Sequence, residues 1–231
     1  MEVNRFCNAR SLDSELAIMI GNALSKDISR FGEAILVVSG GRTPIGLFNE
    51  LACLKIDWGS VTVTLADERW VEASHMDSNE RLVRDNLLLD RAKAAKFLPF
   101  KNNEKTASLG QVVCAERLDR LGKFSVVVLG MGDDGHTASL FPNSHRLGLG
   151  LDMTSTLPCI AIDSVDAPHE RITMTLPRLL HSQKVVLHIV GEGKFKTLES
   201  ARTAADAFQY PVYALFQQQT SPVEIFYAPQ V

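Results

Sequence analysis

Phe124-Ser125-Val126-Val127-Val128-Leu129-Gly130-Met131-Gly132-Asp133-Asp134-Gly135-His136-Thr137-Ala138-Ser139-Leu140-Phe141-Pro142 is the stretch whose reading decides the fold. Its apolar, β-branched run from Val126 to Leu129 predicts a strand covered on both faces, and Gly130 ends that strand. Three glycines, two carboxylates and one histidine follow, closed by a proline. In an open α/β sheet, ligands sit just beyond the carboxyl ends of the strands, so His136 stands where chemistry is expected.

Working outward, the remaining pattern repeats this unit. Apolar residues at Leu12, Leu16, Ile20, Ala23, Leu24, Ile28 and Phe31 have helical spacing, and Gly32 stops the helix. Strands are predicted at Ala34–Val38, Val61–Ala66, Leu157–Ile162, Lys184–Val190 and Val223–Tyr227, with a polar–apolar alternation beginning at Arg171–Met174. Helices are expected after Thr43, which suits an N-cap with Pro44 as first helical residue. Others are expected after Asp77, with Glu80 at capping-box spacing, over Ala107–Leu121, and over Phe195–Ala201. Asp67–Val71 reads as a charged loop, and Pro142–Leu157 as a long surface connection. Strands alternating with helices, without a linker, predict an α/β chain: one domain over residues 1–231, with a three-layer, Rossmann-like arrangement of a mostly parallel sheet flanked by helices.

Bulk properties narrow the function classes. The chain has 231 residues, 45% of them hydrophobic and 22% charged, enough for a sizeable core. Its formal net charge is −3 and its Lys and Arg residues are scattered, so no nucleic-acid partner is expected. Cys7, Cys53, Cys114 and Cys159 form no Cys-x-x-Cys pair, which argues against a zinc site or a disulfide framework and predicts mostly buried thiols in a reducing compartment. The amino terminus lacks the pattern of a secretory signal, and no apolar run approaches the roughly 20 residues that cross a bilayer. The expectation is a cytoplasmic protein with no membrane partner.

Four strand ends carry polar, glycine-bearing turns: Ser39–Thr43, Asp67–Val71, Gly130–Thr137 and Gly191–Lys194. Parallel strands bring such turns to one sheet edge. Ser39, Gly40, Gly41, Arg42 and Thr43 suit an anion, because glycines allow close backbone approach and the following helix offers free N–H groups. A plain tight turn is the simpler alternative. It is not a nucleotide-binding P-loop, since Leu47 and Phe48 stand where Lys and Ser or Thr are required. Arg69, beside Asp67 and Glu68, has the donor fork for a phosphate, and Lys194 has a similar charge at a helix start. Gly130–Gly135 literally matches Gly-x-Gly-x-x-Gly. Asp133 and Asp134 would repel a pyrophosphate, however, and Pro142 cuts short the helix such a site needs. A Gly-x-Ser-x-Gly elbow is absent, so a serine nucleophile is not indicated. Of six histidines only His136 lies in a glycine loop after a core strand. It can act as a base, with a carboxylate fixing its tautomer. His188, in an apolar strand, reads as a satisfied core residue, and His75, His145, His169 and His181 as surface residues.

Ser39-Gly40-Gly41-Arg42-Thr43-Pro44, Asp67-Glu68-Arg69-Trp70-Val71, Ser78-Asn79, the Gly130–Pro142 block and Arg171-Ile172-Thr173-Met174-Thr175, in this order, resemble the 6-phosphogluconolactonases of the glucosamine-6-phosphate isomerase/deaminase fold group. The resemblance implies a carboxylic ester hydrolase that converts 6-phospho-D-glucono-1,5-lactone to 6-phospho-D-gluconate in the pentose phosphate pathway. It implies no metal and no organic cofactor. It assigns His136 to activating water and Asp134 to positioning or polarising the site. Ser39, Gly40, Gly41, Arg42, Thr43, Asp67, Arg69, Gly132, Arg171 and Lys194 would bind substrate. The partner would be a phosphorylated sugar lactone, and the chain a monomer or weak homo-oligomer. Two rivals share the fold: an amino-sugar-phosphate isomerase or deaminase, and a non-catalytic sugar-phosphate sensor. The first diverges after the histidine block, and the second needs an output module for which the start at the first helix leaves no room.

Overall fold

Residues 3–163 and 168–229 are described in a computed structural model of the chain; Met1 and Glu2 of the amino-terminal segment lie outside them. In chain order the elements are β1 (Val3–Arg5), α1 (Ala9–Phe31), β2 (Ala34–Val38), α2 (Ile45–Ala52), β3 (Val61–Leu65), β4 (Asp67–Arg69), α3 (Asn79–Asn86), β5 (Lys96–Leu98) and α4 (Ala107–Asp119). They continue with β6 (Val126–Leu129), α5 (Leu147–Leu151), β7 (Cys159–Ile162), β8 (Arg171–Met174), α6 (Leu176–Leu180), β9 (Val185–Val190), α7 (Glu192–Ala204), α8 (Ala214–Gln217) and β10 (Val223–Ala228).

Seven strands form one sheet in the order β1-β10-β9-β6-β2-β3-β5, and every pairing in it is parallel. Every residue of β2 and β6 is buried, as their unbroken apolar runs require of strands packed on both faces. Helices flank this sheet. α1 lays Leu12, Leu16, Ala17, Ile20 and Leu24 onto the core. It begins where the Asn8 side chain accepts from Ser11 N–H at 2.9 Å, a cap worth about 1 kcal/mol. It ends where Gly32, at φ 79°, returns its N–H to the Ile28 carbonyl.

A second sheet, β4-β8-β7, is antiparallel and corrects the sequence reading of Asp67–Val71 as a loop. Ala66 makes the transfer. Its N–H donates to Val38 O in the main sheet at 2.9 Å, while its carbonyl accepts from Met174 N–H of the small sheet at 2.8 Å. One hydrophobic core runs through both sheets, taking in Ile172 and Met174 as well as Val63 and Val127.

Other expectations shift by a residue or a turn. Pro44, not Thr43, is the N-cap of α2, and no side chain caps that helix. Ser78, not Asp77, caps α3, accepting from Arg81 N–H at 3.2 Å. The stretch after Pro142 contains α5, whose Leu147 and Gly150 are buried, so it is not wholly a surface connection. α7 is nearly two turns longer than Phe195–Ala201 suggested, because polar Glu192 and Lys194 occupy its first turn. Strands β1 and β5 are too short to show periodicity. Cys7 and Cys53 are exposed and only Cys114 and Cys159 buried, against the expectation of mostly buried thiols. Among the described residues no helix is long and apolar enough to cross a membrane.

Candidate active site

The four polar turns follow β2, β3, β6 and β9, and these are four consecutive neighbours, β9-β6-β2-β3, in the middle of the parallel sheet. Their carboxyl ends therefore open on one crevice, of about 240 Å³. Ser39, Gly40, Gly41, Arg42, Thr43, Asp67, Arg69, Gly132, His136, Arg171 and Lys194 all line it. Asp134 alone of the expected residues does not; it stands behind His136.

The histidine half is built within a few residues. Gly132 N–H donates to His136 O at 2.9 Å, Gly135 N–H to Gly132 O at 3.1 Å, and Thr137 Oγ1 to Gly130 O at 2.9 Å, folding the loop into a compact turn. Gly135 sits at φ 79°, and a Cβ on Gly132 would collide with the His136 ring, so both glycines are required here. Asp134 Oδ1 accepts from His136 N–H at 3.1 Å and lies 2.6 Å from His136 Nδ1. Burial alone would raise the Asp134 carboxyl, but its hydrogen bonds to His136 and the charge of that ring outweigh this and hold it below the usual carboxylate range. With Nδ1 engaged, Nε2 is the nitrogen left for proton transfer. Phe141 packs 4.6 Å from the ring, centroid to centroid, and Thr197 Oγ1 of α7 donates to Asp133 O at 3.1 Å, holding the loop from its other side.

The anion half is assembled across the small sheet. In the β4–β8 register Arg69 lies directly opposite Arg171, and among the described residues the buried Nε of each has no hydrogen-bond partner. Like charges directly opposite each other across a strand pair destabilise it, so this pairing calls for an anion between or above the two guanidinium groups. Burial lowers the Arg171 pKa, and Arg69 lowers it further against the pull of Asp67. Arg69 Nη1 is aimed by Asp77 O at 2.6 Å and Asn79 Oδ1 at 3.0 Å. Ser39–Thr43 leads into the amino terminus of α2, where no side chain caps the first turn and the helix dipole favours negative charge. Ser39 Oγ itself donates to Val128 O at 3.2 Å, so its hydroxyl braces the turn, while Arg42 is exposed at the rim. Lys194 adds a fourth positive charge from the first turn of α7. Asp67 is buried and accepts from Ser139 Oγ at 2.5 Å, which ties the histidine loop to β4.

Three residues outside the expected set complete the site. Glu68 is fully buried and accepts from the N–H groups of Arg69, Asn79 and Glu80 at 2.7, 2.8 and 2.7 Å and from Ser78 Oγ at 3.1 Å. It thereby satisfies the first turn of α3. Burial pushes its carboxyl up to about 7, against the pull of those backbone donors. Asn79 donates to Asp67 O at 2.8 Å and packs so closely on Gly40 that a Cβ there would strike its carboxamide. Its Ser-Asn motif was visible in the sequence, but its bracing role depends on β4. His188 lines the crevice floor from β9 and lies 3.2 Å from Asp13 Oδ1. It is buried, as expected of a core histidine, and its Nε2 faces the buried Asp13 carboxylate at ion-pair distance, though without a well-aligned hydrogen bond.

The glucosamine-6-phosphate isomerases/6-phosphogluconolactonase family model matches residues 8–224. A 6-phosphogluconolactonase of Rhizobium meliloti is 41% identical over 225 residues, covering 97% of each chain. A crystal structure of a 6-phosphogluconolactonase from Shewanella baltica superposes with a TM-score of 0.95 at 43% identity, covering 98% of each chain. A monomeric glucosamine-6-phosphate deaminase shares the fold, with a TM-score of 0.80 at 18% identity over 98% of this chain and 97% of that one. With a family model spanning residues 8–224 and relatives near 40% identity over almost the whole chain, the chain belongs to the glucosamine-6-phosphate isomerase/6-phosphogluconolactonase family.

Proposed function

We propose that this chain hydrolyses 6-phospho-D-glucono-1,5-lactone to 6-phospho-D-gluconate, acting as a carboxylic ester hydrolase of the cytoplasmic oxidative pentose phosphate pathway through residues 1–231 as one domain. The observation that carries this reading is the meeting, in one crevice, of a carboxylate-backed imidazole and an opposed pair of arginines. A deaminase shares the fold, so fold does not choose between the two activities. The high-identity relatives are named lactonases, and that favours the lactone.

In the proposed reaction the phosphate is held by Arg69, Arg171, Lys194 and the backbone N–H groups of Ser39–Thr43, which places the ring near His136. Water gives a proton to His136 Nε2 as its oxygen bonds to the lactone carbonyl carbon. Asp134 stabilises the imidazolium that forms. The carbonyl electron pair moves onto oxygen, and N–H groups of the glycine loops stabilise that charge, at about 3 kcal/mol per donor in other hydrolases. Collapse restores the carbonyl and breaks its bond to the ring oxygen. That oxygen takes the proton back from His136 and becomes the 5-hydroxyl, while the new carboxylic acid ionises in neutral water. Water and a base suffice for an activated ester, so no covalent intermediate is invoked. The test is acidification of freshly prepared lactone, which wild-type protein should accelerate. Turnover of glucosamine 6-phosphate in its place would overturn the assignment.

A further inference from the structure

A second polar cluster lies outside the crevice lining and is joined to it through the Asp77 carbonyl, which accepts from Arg69 Nη1 at 2.6 Å. His169 Nε2 is 3.0 Å and His75 Nδ1 3.8 Å from the same atom, Asp77 Oδ2. The two imidazole rings meet edge to face with centroids 5.3 Å apart, and one potential ligand atom from each of the three residues lies within 4.8 Å of the others. We propose that His75, Asp77 and His169 bind one divalent transition-metal ion of the Zn²⁺ class.

Donor chemistry selects that class. Two imidazoles and one carboxylate suit Zn²⁺, Co²⁺ or Ni²⁺, whereas Mg²⁺ and Ca²⁺ prefer all-oxygen shells. Bonds of about 2.0–2.1 Å in a tetrahedron place neighbouring ligand atoms about 3.3 Å apart. Two of the separations, 3.0 and 3.8 Å, lie on either side of that value, and no pair of the three ligand atoms is more than 4.8 Å apart, so side-chain rotation alone can bring the set to that geometry. Three protein ligands leave a fourth position for water.

The ligands are also held in place beforehand. His75 N–H donates to Glu72 O at 2.8 Å, Ser78 N–H to His75 O at 3.1 Å, and Arg81 Nη1 to Ser74 O at 2.8 Å, so the turn ahead of α3 is pinned by its own backbone. Asp77 N–H donates to His75 Nδ1 at 3.1 Å. On binding, that nitrogen turns its lone pair to the metal and the freed N–H takes water. His169 exchanges its hydrogen bond to Asp77 for a metal bond, the ring proton moving to Nδ1 if the imidazole is neutral, or to solvent if it is charged. The ion then joins two segments far apart in sequence: the turn whose Asp77 carbonyl aims Arg69, and the residues just ahead of Arg171. A metal bridge there ties the turn that braces Arg69 to the segment that leads into Arg171, whatever substrate the crevice takes.

The experiment is a Co²⁺ titration of untagged, metal-free protein, followed by visible absorption, with Zn²⁺ competition and thermal melts. Wild type should show one saturable equivalent with the intense bands of four-coordinate cobalt, loss of those bands on adding Zn²⁺, and a rise in Tm with one equivalent of Zn²⁺. His75→Ala and His169→Ala should each weaken binding at least tenfold. His169→Gln keeps a donor for Asp77 but ligates poorly; it should melt like metal-free wild type and gain nothing from Zn²⁺. His136→Ala should titrate like wild type. The proposal is overturned if wild type shows no saturable equivalent, if His169→Gln binds as wild type does, or if the bands disappear with His136 instead.

Discussion

The two halves of the crevice are built in opposite ways. The histidine half is a single loop after β6: Gly130 to Thr137 fold on one another, and His136 and Asp134 are two residues apart. The arginine half exists only because β4 leaves the main sheet at Ala66 and pairs with β8, bringing Arg69 against Arg171. In the proposed reaction His136 needs one fixed tautomer, which a short loop with constrained glycines supplies. The proposed phosphate site needs several positive charges held close together against their repulsion, and a strand pair anchored in the core supplies that restraint. The comparison predicts that damage to the first half falls on kcat, and damage to the second on substrate binding or on stability.

The largest expected effect is at the base. His136→Ala should lower kcat by about 10²–10⁴-fold with KM near wild type, read from lactone acidification kinetics. Asp134→Asn should lower kcat by a smaller factor, because Nε2 survives but the imidazolium loses its counter-charge. A KM effect in either variant would join the two halves and break the contrast.

Next comes a pH effect on stability from the buried Glu68 carboxylate, which accepts from the first turn of α3 and from Arg69 N–H. Glu68 binds its proton more tightly folded than unfolded, with its pKa raised from 4.5 to about 7. Its contribution therefore becomes less favourable as pH rises from about 4.5 to about 7 and is constant outside that window, a change on the order of 3 kcal/mol. Denaturant melts of wild type and Glu68→Gln across pH 4–8 should show this fall in wild type and not in the variant. Equal slopes would remove Glu68 as its source.

Arg171→Ala and Arg69→Ala should each raise KM by about 10–100-fold with a smaller change in kcat, since a phosphate clamp binds ground and transition states alike. A pure loss of kcat would move the arginine into the chemistry. The smallest effect belongs to exposed Arg42. Arg42→Ala should raise KM only a few-fold at low ionic strength, and the difference should shrink at 0.5 M salt, where the Debye length is about 4 Å.

The same contrast explains what the sequence made legible. β2 and β6 carry unbroken apolar runs whose ends match the observed strands, and the loop after β6 brings His136 and Asp134 together within one short stretch. The arginine half was legible only in pieces. Asp67-Glu68-Arg69 has no apolar alternation, because its burial is satisfied by Ser139, by the first turn of α3 and by Asn79 instead of by packing. The cap of α3 fell on Ser78 and not on Asp77 for the same reason: Glu68 approaches from outside the local sequence. His188 is core, as a histidine in an apolar strand suggests, and also lines the crevice, because β9 is one of the four strands whose ends open on it. Local physics predicts local devices, and the opposed arginines are not one.

The most direct test of the central claim is calorimetric binding of inorganic phosphate to two variants, His136→Ala and Arg171→Ala, beside wild type. The account predicts that His136→Ala binds phosphate within about threefold of wild type while Arg171→Ala binds at least tenfold more weakly. Loss of phosphate binding in His136→Ala, or its retention in Arg171→Ala, would contradict the division of the crevice into a base and an anion cradle.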